Sequence, residues 1–424
     1  MRILIDGDYA INQQGTGIST YARTLAKGLT TLGHQVSWLS GAGGGDTTEP
    51  LADAAAILEQ PQPVRGPRAW AQTAGRMAGG VMVGSTTARP VTRSNAMVVP
   101  RSAMDGQPMY LAPDLFVRAH YRHMLLRKFS DVKIETPIDV LHLTTPLPVQ
   151  MKDVQSVVSI LDLIPIRLPY TTTDNKAEFV ARVRKCANDA KLIITISEAS
   201  KSDIVSILGI DPAKIAVTYL PSDIGSLSDD DKSRLPHVLS RFGIKPNEYL
   251  LFVGAQEPKK NLKRLIQAFL DVDTSFPLVI AGPRGWMWEQ EVGTVLAPLS
   301  DRARARIKFT GYIERSDLRR LYAGALGFVY PSLYEGFGLP VLEAMQSGCP
   351  VITSKSSSLP EVCGDAAIYV DPFERDEIRD AIERLIGDPD LRARLISLGV
   401  ARSKLFSFDN YLTALNEAYS RLAG

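Results

Sequence analysis

The sequence predicts an α/β protein made of two Rossmann-like domains, each with a parallel sheet, facing one another across a cleft. Three observations lead there. Short apolar, β-rich runs alternate with helical stretches along the chain. They fall into two sets, separated by a polar segment. Glycine-containing turns follow several of the strands, where ligands bind in folds of this class. With 424 residues the chain is longer than a single core normally holds, so two domains are the default.

The first set of runs is Ile3–Ile5, Val36–Leu39, Val140–Leu143, Val157–Leu161, Leu192–Ile196 and Ala216–Tyr219. The second is Tyr249–Val253, Leu278–Ala281, Ile307–Thr310, Gly327–Tyr330, Val351–Thr353 and Ile368–Val370. Strands that are apolar on both faces and flanked by helices belong to parallel sheets covered on both sides. The polar run from Ser226 to Lys232 is the expected linker, dividing residues 1–225 from 226–407. Residues 41 to 130 break the rhythm. They open on Gly41-Ala42-Gly43-Gly44-Gly45 and show weak periodicity, the mark of an irregular insertion. Phe116 to Phe129 at its end reads as an amphipathic basic helix. Its plain reading packs Phe116, Tyr121, Met124 and Leu125 on the domain. The alternative is peripheral contact with an anionic membrane surface or a lipid-linked acceptor.

Composition excludes several classes. A formal net charge of +2, with no block of like charges, argues against nucleic acid as a partner. Cys186, Cys349 and Cys363 show no metal-binding spacing, and their low, odd number fits a reducing compartment. No run of eighteen apolar residues suggests a membrane span. The opening Met1 to Asp6 reads as a strand entering a turn, which predicts no signal peptide. The expectation is a cytoplasmic protein.

The chemistry concentrates between Tyr334 and Met345. Glu335 and Glu343 are separated by seven residues that include Gly336, Gly338 and Pro340. A strand ending near Tyr330, a tight turn from Glu335 to Gly338 and a helix from about Pro340 to Gln346 would present free N–H groups and a positive dipole end to an anion. Glu343, placed in the first helical turn, suits a ribose diol, and Glu335 then faces a reacting sugar. A sugar nucleotide offers a diol, a diphosphate and a developing positive charge in one molecule. Lys259 and Lys260 stand at a predicted helix start, where the dipole disfavours cations unless an anion is near. Gly15 and Gly17 lie in a strand-to-helix turn but make no G-x-G-x-x-G, and no acidic residue closes the second strand. A dinucleotide oxidoreductase is thereby disfavoured. Asp162 ends a strand, where a plain capping role competes with a catalytic one. His142, in Val140-Leu141-His142-Leu143, is more often a structural residue than a ligand-binding one, and Arg284 is equally a cleft or a surface residue.

The segment Tyr334–Met345 resembles the E-x7-E signature of retaining glycosyltransferases of the GT-B group that includes bacterial mannosyltransferases and sucrose and glycogen synthases. Gly254 followed by Glu257-Pro258-Lys259-Lys260-Asn261 is similar to the family's phosphate-gripping turn, and Gly311-Tyr312 to its base-binding turn. Ser358 to Val362 with Gly364-Asp365-Ala366, Asp162-Leu163-Ile164-Pro165 and Ile196-Ser197-Glu198-Ala199-Ser200 match further family stretches. The resemblance implies a GT-B fold whose last helix, about residues 408–424, packs back on the first domain. It implies donor contacts from Gly254, Lys259, Lys260, Tyr312, Gly336, Phe337, Gly338, Leu339 and Glu343. It implies catalytic roles for Glu335, Asp162 and Lys260, and contact with donor phosphate or acceptor from Gly15 and Gly17. The sequence departs from the pattern twice: Leu161 stands where relatives usually have His, and Ala255-Gln256 where many have Arg.

The function this implies is hexosyl transfer with retention, most similar to transfer of mannose from GDP-mannose to a lipid-linked or polysaccharide acceptor in lipopolysaccharide-type synthesis. No metal cofactor is expected, the nucleotide sugar being a co-substrate. A UDP-hexose or deoxysugar donor is the runner-up, and a non-catalytic interaction subunit is the reading from another class.

Overall fold

The computed structural model describes residues 1–7, 17–42, 84–91, 106–172, 175–222, 224–225 and 227–423, with a few single positions between 71 and 82. Gly15, Ser226 and most of the irregular insertion lie outside the described residues.

The fold is α/β with two Rossmann-like sheets, as the apolar runs predict. The first sheet has eight strands in the order Ile215–Val217, Leu192–Thr195, Gln155–Ser159, Val140–Leu143, Arg2–Asp6, Gln35–Ser40, Met109–Leu111 and Arg89–Pro90. Its pairings are parallel except at the edge, where Arg89–Pro90 runs antiparallel to Met109–Leu111. The second sheet has six strands, all parallel, in the order Ile307–Gly311, Leu278–Ala281, Leu250–Val253, Gly327–Tyr330, Val351–Ser354 and Ala367–Val370. In each sheet the chain builds outward in one direction from a central strand and then restarts on that strand's other side. The reversal lies between Arg2–Asp6 and Val140–Leu143 in the first sheet, and between Leu250–Val253 and Gly327–Tyr330 in the second. Loops leaving neighbouring strands diverge at such a point and open a crevice at the carboxyl ends.

The helices follow from the spacing of their apolar residues. Leu262–Asp271 buries Leu262, Leu265, Ile266 and Phe269, one stripe of a 3.6-residue repeat. Phe408–Ser420 lies on the first domain, beside helix Gly17–Thr31. The two helices approach so closely that a Cβ on Gly28 would sit 2.9 Å from atoms of both Leu415 and Tyr411. Tyr419 on this last helix reaches a buried relay: its Oη is 2.5 Å from His142 Nδ1, and His142 Nε2 is 2.7 Å from Ser159 Oγ. Ser159 Oγ is in turn 2.5 Å from Tyr21 Oη. His142 is therefore a core residue of the first domain, its imidazole pushed down to about 3 by burial.

Three expectations change. The basic helix runs from Leu115 to Leu126; it buries Phe116 as predicted but leaves Leu125 exposed and buries His123 instead. The reason is polar: His123 Nδ1 lies 3.1 Å from a carboxylate oxygen of Glu178, which also takes a hydrogen bond from Arg182 at 3.0 Å. Second, the insertion contributes Ser85–Thr87 to a small parallel sheet with Ser130–Lys133 and Val149–Gln150. Strands this short carry no readable alternation. Third, the acidic run after Ser228 is the start of helix Asp229–Ser240 and not a free tether. Ser228 and Asp231 form a capping box, and Asp231 is buried against Arg320 at 2.6 Å and against Arg319. Among the described residues no helix is long and apolar enough to cross a membrane.

Tyr419→Phe removes one hydroxyl and strands His142 Nδ1 in the core. We expect a loss of about 1–3 kcal/mol in equilibrium urea unfolding, with the C-terminal helix losing amide protection first.

Candidate functional site

The crevice of the second domain is built by loops that follow three adjacent strands. Gly254, after Leu250–Val253, donates its N–H to Ala281 O at 2.9 Å, and Gly282 donates to Gly311 O at 2.8 Å. A Cβ on Gly282, whose φ is +134°, would stand 2.1 Å from Gly254 O, so the loops nest only because glycine is there. The chain then makes a single turn, Pro258–Lys260. Asn261 fixes that turn from within. Its φ is +59°, and its buried amide donates to Pro331 O at 3.0 Å and Pro372 O at 2.6 Å.

This places Lys260 over the end of the neighbouring strand Gly327–Tyr330. Its Nζ donates to Glu335 Oε1 at 2.7 Å and lies 2.5 Å from Tyr330 Oη. The same Glu335 oxygen accepts from Tyr330 Oη at 2.9 Å and from Ser332 Oγ at 2.5 Å. Burial alone would raise the Glu335 carboxyl, but the charges of Lys260 and Lys259 outweigh it and hold the group below its ordinary range. Glu335 is thus an ionised carboxylate inside the protein. The Tyr330 phenol is pushed well above its ordinary value by burial and by Glu335, so it stays a hydrogen-bond donor. The cation expected at a diphosphate and the carboxylate expected at a sugar are paired with each other.

Gly336 and Gly338 serve different ends. Gly338 has a φ of +113° and starts helix Leu339–Gln346, and a Cβ there would meet Leu359 Cδ2 at 2.8 Å. Gly336 has no positive φ; it is needed for space. A Cβ on it would come within 3.0 Å of Leu161 O and 3.1 Å of Asp162 Cβ and Oδ2 in the first domain. Asp162 thereby joins the site from across the cleft. Its Oδ1 accepts from Ile164 N at 3.0 Å, and burial raises its carboxyl despite the nearby charge of Lys259. Among the described residues no acceptor takes the N–H groups of Gly336, Phe337 or Gly338, which leaves an N-terminal cradle open to an anion.

The remaining expected residues divide. Glu343 lies in the second turn of its helix and not the first, because the helix begins at Leu339. It accepts from Tyr322 Oη at 3.2 Å, has Arg315 at 3.9 Å, and burial pushes its carboxyl upward. Phe337 turns its side chain inward, its ring 6.2 Å from Tyr219 and 5.7 Å from Phe406, so its backbone alone is left for a ligand. Leu339 is the half-buried first residue of the helix. Lys259 pairs with Glu257 at 3.7 Å. Tyr312 is 66% exposed after Gly311, whose φ is +70°. Gly17 opens the helix Gly17–Thr31, with open space around its α-carbon. Arg284 stacks 3.7 Å over the ring of Trp288 at the surface. Gln256, where many relatives carry Arg, is buried; its amide donates to Gly282 O at 3.0 Å and accepts from Trp288 Nε1. Sequence reasoning missed Tyr330 and Ser332. Their signal was present, two hydroxyls at the end of a buried strand beside an acidic turn.

Residues 240–400, which hold Lys259, Lys260, Glu335, Gly336, Gly338 and Glu343, match the family described as Glycosyl transferases group 1. This part of the chain is a glycosyl transferases group 1 domain. The chain is 38% identical over 239 residues to the O-antigen chain mannosyltransferase B of Escherichia coli, covering 55% of this chain and 62% of that protein. It is 30% identical over 229 residues to the O-antigen chain mannosyltransferase RfbU of Salmonella typhimurium, covering 54% of this chain and 58% of that protein. The chain thus spans less than two thirds of the length of these relatives. Sucrose-phosphate synthase from Thermosynechococcus elongatus superposes over 100% of this chain and 99% of its own with a TM-score of 0.67 at 16% identity. That likeness shows a GT-B fold, with residues 240–400 lying in its second domain.

Because burial disfavours the ionised form of Glu343, its contribution to stability is present while it is protonated and is lost as pH rises through its raised pKa. Glu343→Gln does not titrate. Its melting temperature should therefore gain on that of the parent protein as pH is taken from 4.5, the ordinary value, up to 8. A variant-minus-parent difference that falls over this range would contradict the burial argument.

Proposed function

We propose that the chain is a retaining glycosyltransferase that moves mannose from GDP-mannose to a hydroxyl of a lipid-linked or polysaccharide acceptor in O-antigen-type glycan synthesis, without a metal cofactor. The observation that carries the reading is the convergence of Lys259, Lys260, Glu335, Glu343 and the open N–H groups at Gly336–Gly338 on one crevice, closed from the other domain by Asp162. The arrangement supports a division of labour. Lys260, a half-buried point charge, and the helix N-terminus receive the diphosphate. Glu343, on the helix that starts at the same turn, receives the ribose hydroxyls. As the glycosidic bond lengthens, negative charge grows on the diphosphate and positive charge on the sugar ring. Lys260 meets the first, and Glu335 and Asp162 the second.

Glu335 Oε1 already accepts three hydrogen bonds, which ties that oxygen to Lys260, Tyr330 and Ser332 and makes it a poor nucleophile. Retention is then best served by attack on the face the diphosphate leaves, with the departing phosphate oxygen accepting the acceptor's proton. Closing the domains over the donor excludes water from that step. Mannose, and with it a GDP donor, is favoured over other sugars by the names of the sequence relatives. The exposed Leu125 and Leu126, beside Arg127 and Lys128, support a peripheral contact of the acceptor side with an anionic lipid surface at the cytoplasmic face.

A thermal-shift panel of GDP- and UDP-sugars tests the donor: stabilisation by GDP-mannose and GDP alone is expected, whereas stabilisation by UDP-sugars would move the donor to that class. Silence with every nucleotide would remove the transferase reading. Lys260→Ala should weaken GDP binding by about 1.5–3 kcal/mol by calorimetry. Glu335→Gln, which frees Lys260 from its carboxylate, should bind GDP at least as tightly while losing transfer.

A further inference from the structure

The turn that carries Glu335 belongs to the second domain by sequence, yet it is held from the first. Tyr334, just before Glu335, donates its phenol to Asp203 of the first domain. Asp203 is buried and also accepts from Arg167 Nε at 2.9 Å. Gly336, just after Glu335, offers its carbonyl oxygen to Ser197 Oγ at 2.7 Å. Ser200 Oγ, which donates to Leu161 O at 2.8 Å, lies 3.3 Å from the same oxygen. A little further along the second domain, Glu361 accepts the N–H groups of Glu198 at 2.7 Å and Ala199 at 3.1 Å. It thereby supplies the anion that the N-terminus of helix Glu198–Leu208 favours.

We propose that Tyr334–Asp203 and Gly336–Ser197 are positioning contacts through which closure of the two domains sets the register of Glu335. Glu335 is held within its own domain, its carboxylate by Lys260, Tyr330 and Ser332, its N–H by Ser357 Oγ at 2.9 Å and its carbonyl by Ser358 Oγ at 3.0 Å, but the residues on either side of it, Tyr334 and Gly336, are tied to the other domain. With the domains apart, Glu335 keeps these partners while Tyr334 and Gly336, on either side of it, lose theirs. The group facing the sugar is then delivered only when Leu161 and Asp162 are seated on Gly336. This accounts for the Ile196–Ser200 stretch, whose hydroxyls line no ligand cradle but reach across the cleft. It also accounts for a glycine at 336 that the backbone conformation does not require.

The inference rests on the transferase reading for the role of Glu335, though the clamp itself is testable without it. Spin labels at Lys191→Cys and Glu383→Cys, exposed positions in the first and second domains, report the distance between domains in the full chain; the native cysteines are buried. Tyr334→Phe and Ser197→Ala, singly and together, should lengthen the distance distribution and leave GDP affinity unchanged. They should lower kcat for transfer from GDP-mannose by about ten- to a hundredfold at near-constant donor KM. Ser206→Ala, on the exposed side of the same helix, should change none of these. Parental distances and kcat in the double variant would overturn the proposal, and so would an opened distribution with parental kcat. Tyr334→Phe leaves Asp203 paired with Arg167, so it decides the matter even if Ser197→Ala fails to fold. Should GDP not bind the parent protein, the transferase reading fails while the label distance still decides the clamp.

Discussion

The buried contact between Lys260 and Glu335 organises everything near the crevice. It joins a loop leaving one central strand of the second sheet to a loop leaving its neighbour, across the point where the strand order reverses. An ion pair away from water is costly to form unless each partner is also hydrogen-bonded. Here Tyr330 and Ser332 complete the carboxylate, and the Tyr330 hydroxyl also meets the ammonium at 2.5 Å. Those hydroxyls sit on the strand end and the turn that follow Gly327–Tyr330, so the pair is fixed by the sheet and does not depend on loop conformation.

A neutral pair at the bottom of a crevice has a chemical consequence. Without a ligand, Lys260 and Glu335 balance one another, and the domain does not carry an uncompensated buried charge. In the proposed reaction a diphosphate would bring negative charge to the lysine side and leave the carboxylate for the positive charge that develops next to it. The same two residues can thus serve stability in the empty protein and charge separation in a reacting complex. Gln256 fits this arrangement. Where a second cation would tilt the balance, the protein buries a neutral amide held by Trp288 and Gly282.

The two halves of the molecule contribute unequally. The second domain supplies nearly all of the charged groups, and the first supplies shape: Leu161 and Asp162 pressed on Gly336, Ser197 on its carbonyl, Asp203 on Tyr334. The C-terminal helix, locked by Tyr419 to His142 in the first-domain core, is a third tie between the ends of the chain. Just before that helix, the ring contact from Phe406 to Phe337 brings the chain up against the site turn itself.

Read alone, the sequence was enough for the two-sheet architecture, because parallel strands buried on both faces must be apolar throughout and the alternation with helices is strong. It also singled out Glu335, Lys260 and the glycine turn, which the structure brings together at the ends of neighbouring strands. It did not show that Glu335 and Lys260 would bind each other, that Phe337 would face the core, or that Gly336 would be demanded by Leu161 and Asp162. Those facts depend on residues 69 to 175 positions apart meeting at one place. Local pattern encodes which face of a strand or helix is buried; which partner fills the space beyond that face is decided only when the sheets have formed and the domains have met.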